Sequence, residues 1–185
     1  MKSLKFLLQY IFKPRTVGAV LPSSKKLAKK MVESIDFGTA KCIVEYGPGT
    51  GVFTEQILAK RLPDTTVILF EMNDEFCNLL ARRFGTMQNV NIVNGSAVNV
   101  GAKLTELGLR YADYVVSGLP FASLPHEVTV NVLSQTKEHL APGGQFITFQ
   151  YSLLKRGTIG RFFPNIETVR ELRNVPPAYV LRCRV

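Results

Sequence analysis

Hydrophobic positions recur with a helical period at the start of the chain and as short continuous runs after it. Residues 2 to 13 place Leu4, Leu7, Leu8, Ile11 and Phe12 on one helical face and Lys2, Lys5, Gln9 and Lys13 on the other, with Phe6 and Tyr10 at the flanks. This pattern predicts an amphipathic helix. At 1.5 Å per residue it would rise only ~18 Å, short of the ~30 Å hydrocarbon core of a bilayer. It suits the plane of a membrane surface, or packing on its own domain. A secretory signal is disfavoured, because Gln9 interrupts the apolar run and no small-residue cleavage site follows. Pro14 ends the helix, and residues 15 to 22, with Gly18 and Pro22, read as a loop. Ser23 or Ser24 then caps a second helix, with Leu27, Ala28, Met31, Val32 and Ile35 inward and Lys25, Lys26, Lys29 and Lys30 outward.

From residue 42 onward, apolar runs alternate with helical patterns. Strands are expected at 42 to 46, 67 to 71, 91 to 94, 114 to 117 and 145 to 151, with helices at about 52 to 61, from Asn73 to Gly85, and 125 to 139. Gly143-Gly144 reads as a turn and Lys155 to Phe163 as a basic, aromatic loop. Two further strands, 168 to 174 and 178 to 184, would form a terminal hairpin joined at Pro176-Pro177. Continuous apolar strands between helices imply a parallel sheet covered on both faces, an α/β fold. No repeat or low-complexity segment appears, so the expected division is an arm at 1 to 24 and one domain at 25 to 185.

The 185 residues suffice for one domain with a sizeable core. Cys42, Cys77 and Cys183 are odd in number, far apart and set in apolar runs, which indicates neither a disulfide framework nor a metal site. They suit reduced core residues of a cytoplasmic protein. The net charge of +9 is uneven: residues 1 to 30 carry +8, 31 to 154 carry −4 and 155 to 185 carry +5. Basic ends point to an anionic partner, either nucleic acid or a membrane surface.

The chemistry concentrates at strand ends. Glu45 closes the first strand, and Gly47, Gly49 and Gly51 open the helix after it, at alternate positions that let backbone approach a ligand closely. A dinucleotide turn would be G-x-G-x-x-G with phosphate at the helix start, whereas here Val52 stands where the third glycine belongs. A carboxylate beside the turn repels phosphate and attracts an ammonium or sulfonium. Glu71, followed by Met72, ends the second strand 20 residues after Gly51, positioned to accept from ribose hydroxyls. Ser96 and Ala97 follow the third strand, and Ser117 with Gly118, Leu119, Pro120 and Phe121 the fourth. Ligands of open parallel sheets bind beyond such carboxyl ends.

The run Glu45-Tyr46-Gly47-Pro48-Gly49-Thr50-Gly51 resembles the first motif of class I S-adenosylmethionine-dependent methyltransferases, and the later motifs follow in that family's order over residues 42 to 151. The resemblance implies a seven-stranded Rossmann-like sheet completed by the hairpin, with S-adenosylmethionine as cofactor. It places Gly47, Gly49 and Gly51 by the methionine part, Glu45 near its ammonium, Glu71 and Met72 at the ribose, Ser96 and Ala97 at the adenine, and Ser117 at the same edge. Serine at 96 departs from the family's usual Asp. Gly118-Leu119-Pro120-Phe121 resembles the Asn/Asp-Pro-Pro-Tyr motif of amine-directed enzymes, including the Asn-Leu-Pro-Tyr form of rRNA adenine dimethyltransferases. It implies that backbone carbonyls hold amine hydrogens while Phe121 packs on the acceptor.

Gly118 lacks the side-chain carbonyl that grips a base amine, and the rRNA enzymes' extra helical domain after the hairpin is not expected here. With Thr16-Val17-Gly18-Ala19-Val20-Leu21-Pro22-Ser23-Ser24 and Arg173-Asn174-Val175-Pro176-Pro177-Ala178, the chain is more similar to bacterial phospholipid N-methyltransferases. That similarity implies methyl transfer to the head-group amine of phosphatidylethanolamine, with further rounds toward phosphatidylcholine. It also implies a monomer, peripheral on the inner face of the cell membrane, with anionic lipid as partner and no metal. Tyr10, Tyr151, His126 and Arg161 are candidates for the head-group pocket, with Tyr151 foremost. An RNA amine methyltransferase is the alternative, and an idle cofactor- or lipid-binding module a third.

Overall fold

A computed structural model describes residues 24–172 and 174–185. The expected amphipathic helix at 2 to 13, the loop after it, Tyr10 and Arg173 lie outside the described residues. The first described helix, α1 (Lys25–Val32), begins at Ser24, whose hydroxyl oxygen accepts the Leu27 N–H at 3.1 Å. Leu27, Ala28, Met31, Val32 and Ile35 are all buried. Lys25, Lys26 and Lys29 are exposed, and Lys30 is half-buried and paired with Glu33.

Five strands run parallel: β1 (Cys42–Tyr46), β2 (Thr66–Glu71), β3 (Val90–Asn94), β4 (Ala112–Ser117) and β5 (Leu140–Gln150). β6 (Asn165–Glu171) and β7 (Ala178–Arg184) close the seven-stranded sheet as an antiparallel hairpin, in the order β3-β2-β1-β4-β5-β7-β6. Side-chain alternation divides the core in two. Cys42, Val44, Tyr46, Ile68 and Phe70 point to one face, while Ile43, Val67 and Leu69 point to the other with α1. The second face also takes α2 (Val52–Leu58) and α3 (Asp74–Phe84); the first takes α4 (Val100–Glu106), α5 (His126–His139) and α6 (Arg156–Gly160).

The expected α/β fold is therefore present, with local differences. Gly143-Gly144 is no turn but part of β5, at an irregularity where pairing passes from Ala112↔Leu140 to Tyr114↔Gln145. Gly143 adopts φ 79°, which lets the strand absorb the extra residues. The basic loop contains α6, whose Ile159 is buried beside Phe163 in the core. β6 starts and ends three residues earlier than expected. Helix α4 has no counterpart among the expected elements.

Asp113 ties the start of β1 to β4, since its Oδ2 accepts the Lys41 and Cys42 N–H groups at 2.8 and 2.9 Å. Replacing it strands both donors. Asp113→Ala should lower the unfolding free energy by about 2 kcal/mol, read by urea denaturation, and leave cofactor affinity unchanged.

Candidate active site

β1 runs into a turn in which Gly47, Gly49 and Gly51 have φ of 62°, 55° and 86°, a region that costs other residues about 1–2 kcal/mol each. A Cβ at Gly47 would stand 3.0 Å from a Leu119 methyl, and one at Gly51 2.8 Å from the Phe84 ring; at Gly49 it would meet nothing within 4 Å. Gly47 and Gly51 are thus packed, while Gly49 faces open space. Arg83 braces the turn by donating to the Thr50 carbonyl and pairing with Glu55.

Two carboxyl groups lie by this turn. Glu45 is fully buried; its Oε2 accepts the Thr54 hydroxyl at 2.7 Å, and Oε1 has no partner among the described residues. Burial pushes this carboxyl up to about 8, against the Thr54 hydrogen bond and with the Glu71 charge adding to the rise. Glu71 accepts the Gly49 N–H at 3.0 Å on Oε2, and the Met72 and Asn73 N–H groups at 2.9 Å on Oε1. Burial raises its pKa, and these three donors oppose the rise. In this conformation Glu71 clamps backbone, so a ribose would share or displace those donors.

Gly47, Glu71, Met72, Ser96, Ala97, Gly118, Leu119 and Pro120 line one cleft. Ser96 also caps the 3-10 turn Ala97–Asn99, its hydroxyl oxygen accepting the Val98 N–H at 3.4 Å. The opposite wall, Leu124, Val128 and Val132, was not anticipated, nor were Phe70 and Gly95. The repeat of four from 124 to 132 was its available signal, since it sets one apolar stripe leading into α5.

The turn after β4 departs from expectation. Ser117 is buried, and its oxygen accepts the Leu119 N–H at 3.2 Å, so it shapes the turn from beneath. Phe121 is fully buried, edge-on to Phe146 at 6.2 Å. With no exposed ring it cannot pack on an acceptor here; it anchors the turn in the core. The Leu119 carbonyl accepts the Phe121 N–H at 3.0 Å, and the Pro120 carbonyl the Ser123 N–H at 2.9 Å. Among the described residues nothing donates to the Gly118 carbonyl, which leaves it to meet an amine hydrogen.

Tyr151 stands outside the cleft, 39% exposed, with its ring against Phe149 at 5.5 Å and its hydroxyl beside Asn174. Asn174 in turn accepts the Ser24 N–H at 3.2 Å. Ser24, the first described residue, is thereby held at this edge of the sheet. His126 and Arg161 are exposed and do not line the cleft.

Glu45 is closed from solvent and does not itself line the cleft, but its unpartnered oxygen and the open, left-handed Gly49 would suit a cation held by close backbone approach, as S-adenosylmethionine would require. Cofactor binding should ionise Glu45 and release a proton below about pH 8, so affinity should rise from about pH 6 to about pH 7.5, by up to roughly tenfold per unit. Calorimetry in buffers of differing ionisation heat reads that proton, and Glu45→Gln should lose both the slope and most of the affinity. Because the folded pKa is raised, Glu45 stabilises the ligand-free fold below the unfolded value of 4.5 and loses that contribution as pH rises through about 8. Without ligand, Glu45→Gln should therefore melt above wild type at pH 8.

The sequence model of the ribosomal RNA adenine dimethylase family matches residues 19–156. The chain is 35% identical, over 190 aligned positions covering all of it and 97% of the relative, to the ornithine lipid N-methyltransferase of Singulisphaera acidiphila. Identity to the ribosomal RNA small subunit methyltransferase A of Hydrogenobaculum sp. is 27% over 128 residues, 69% of this chain but 46% of that protein. Among solved structures, the N-methyltransferase NodS of Bradyrhizobium japonicum, in complex with S-adenosyl-L-homocysteine, superposes with a TM-score of 0.66 at 14% identity, over 86% of this chain and 83% of that one, a likeness of fold. The chain belongs to the ribosomal RNA adenine dimethylase family of S-adenosylmethionine-dependent methyltransferases.

Proposed function

We propose that this enzyme methylates the head-group amine of a membrane lipid, with phosphatidylethanolamine as acceptor and further rounds leading toward phosphatidylcholine. The observation that carries the lipid reading is the full-length similarity to an ornithine lipid N-methyltransferase. Gly118 adds to it: a side chain able to grip a base amine has no room, since a Cβ there would stand 2.7 Å from the Gly47 carbonyl oxygen. Residues 1 to 24 would serve as a basic membrane-binding arm and lid. Ser24, where the arm joins the domain, is bonded to Asn174, which lies beside Tyr151. Among the described residues no helix is long and apolar enough to cross a membrane.

The bound cofactor supplies the methyl group on a sulfonium centre. Glu45 would hold its ammonium, Gly49 admits it against the backbone, and Glu71 would take the ribose. The Gly118 carbonyl accepts a hydrogen of the neutral acceptor amine and aims its lone pair, so catalysis is positioning in a dry cleft. The leaving proton passes from the product ammonium to solvent.

The test offers labelled S-adenosylmethionine with vesicles of phosphatidylethanolamine and phosphatidylglycerol, vesicles containing ornithine lipid, and total bacterial RNA. Label should enter phosphatidylethanolamine; label in ornithine lipid alone would change the head group, and label in RNA alone would overturn the lipid reading. Gly118→Asn should displace the turn from Gly47 and lower lipid methylation at least roughly tenfold without conferring transfer to RNA.

A further inference from the structure

The described surface concentrates large exposed apolar side chains at one edge. Leu153 and Leu154 follow β5, and Leu172 and Val175 follow β6, with exposures of 40, 84, 62 and 71%. Both strands end at the carboxyl edge of the parallel sheet, since β6 and β5 each pair antiparallel to β7. Tyr151 of the first loop lies beside Asn174 of the second. They therefore stand at the same edge of the sheet as the cofactor cleft.

Basic residues neighbour these side chains in the chain or across Asn174. Lys25 and Lys26 are exposed next to Ser24, which is bonded to Asn174; Lys155 follows Leu154; Arg170 is exposed and lies over the Tyr179 ring at 5.5 Å. Residues 151 to 163 and 172 to 185 contain no Asp or Glu, and the acid between Arg170 and Leu172, Glu171, is half-buried. Exposed aliphatic side chains among cations match an anionic bilayer interface, where Leu and Val enter the acyl boundary and Lys and Arg remain with the phosphates. Bare leucines gain nothing from an RNA backbone.

We propose that the loops after β5 and β6 form a bilayer-inserting rim, with Leu153, Leu154, Leu172 and Val175 as its apolar contacts and Lys25, Lys26, Lys155 and Arg170 as its phosphate contacts. This rim is built from described residues of the domain and sets the cofactor cleft at head-group level. It rests on the reading that the acceptor is a membrane lipid.

The chain has no tryptophan, so a single introduced indole reports one place. In the full-length protein, Leu154→Trp should shift its emission to the blue on vesicles of phosphatidylethanolamine and phosphatidylglycerol, and should be quenched by lipids brominated on their acyl chains. Met87→Trp, at a 40% exposed position in the turn before β3, should do neither. The double variant Leu154→Asp with Val175→Asp should partition onto these vesicles roughly tenfold less, while methylating detergent-dispersed lipid at the wild-type rate. An indole at 154 that stays in water, whether or not the protein floats with the vesicles, overturns the rim. So does an equal shift at 87. Either result leaves lipid methylation intact if label still enters lipid, whereas the absence of label from every lipid overturns the methylation reading itself.

Discussion

Three glycine N–H groups carry the sheet's hydrogen bonding past the ends of its strands, and the site depends on them. Gly47 donates to Phe70, Gly95 to Glu71 and Gly118 to Tyr46, at 2.8 to 2.9 Å. Neighbouring strands lie about 4.8 Å apart, so these bonds hold three turns at strand spacing where they would otherwise splay. The cleft lies among them. The cost is that side chains are excluded where the turns meet, most severely at Gly118, where the nearest obstacle is the backbone oxygen of Gly47 and cannot rotate away.

The same compaction buries two acids. Glu45 lies in the interior with one oxygen unpartnered, and Glu71 is occupied by three backbone donors, one of them Gly49 at the centre of the glycine turn. The Glu71 charge disfavours that of Glu45. The arrangement is poor for the empty fold and good for a cationic ligand, because an arriving positive charge relieves both the desolvation of Glu45 and its repulsion from Glu71.

Much of this was legible from the sequence, for physical reasons. Strands buried on both faces must be continuously apolar, so β1, β2 and β4 announced themselves, and acids or glycines at their ends marked the ligand edge. Side-chain direction was not legible. Phe121 occupies a motif position, but only the packing of Phe146 beneath it decides that the ring turns inward. Gly143-Gly144 looks like a turn because glycine permits one, yet continued pairing with β4 carries it as strand. Helix α4 is short and buries only Val100, Gly101 and Leu104, too few positions to establish a period against loop. Leu124, Val128 and Val132 had the period, but a stripe of that kind more often serves the core than a cleft.

Acceptor choice follows from how the acceptor arrives. A base approaching from solution must be gripped and turned, which requires a polar side chain at the head of the turn after β4. At Gly118 that side chain is excluded, and the bare carbonyl offers a single hydrogen bond with no planar complement. A head group in a bilayer needs less from the enzyme: the membrane already confines it to a plane, limits its orientations and raises its local concentration, so much of the ordering entropy is lost before binding. An enzyme that sets its cleft at that plane can dispense with a gripping side chain, provided its edge fixes the depth and tilt of approach. On the proposed lipid reading, the tight contact between Gly118 and Gly47 and the apolar edge with its lysines would be two halves of one arrangement, in which recognition moves from the turn to the surface around it.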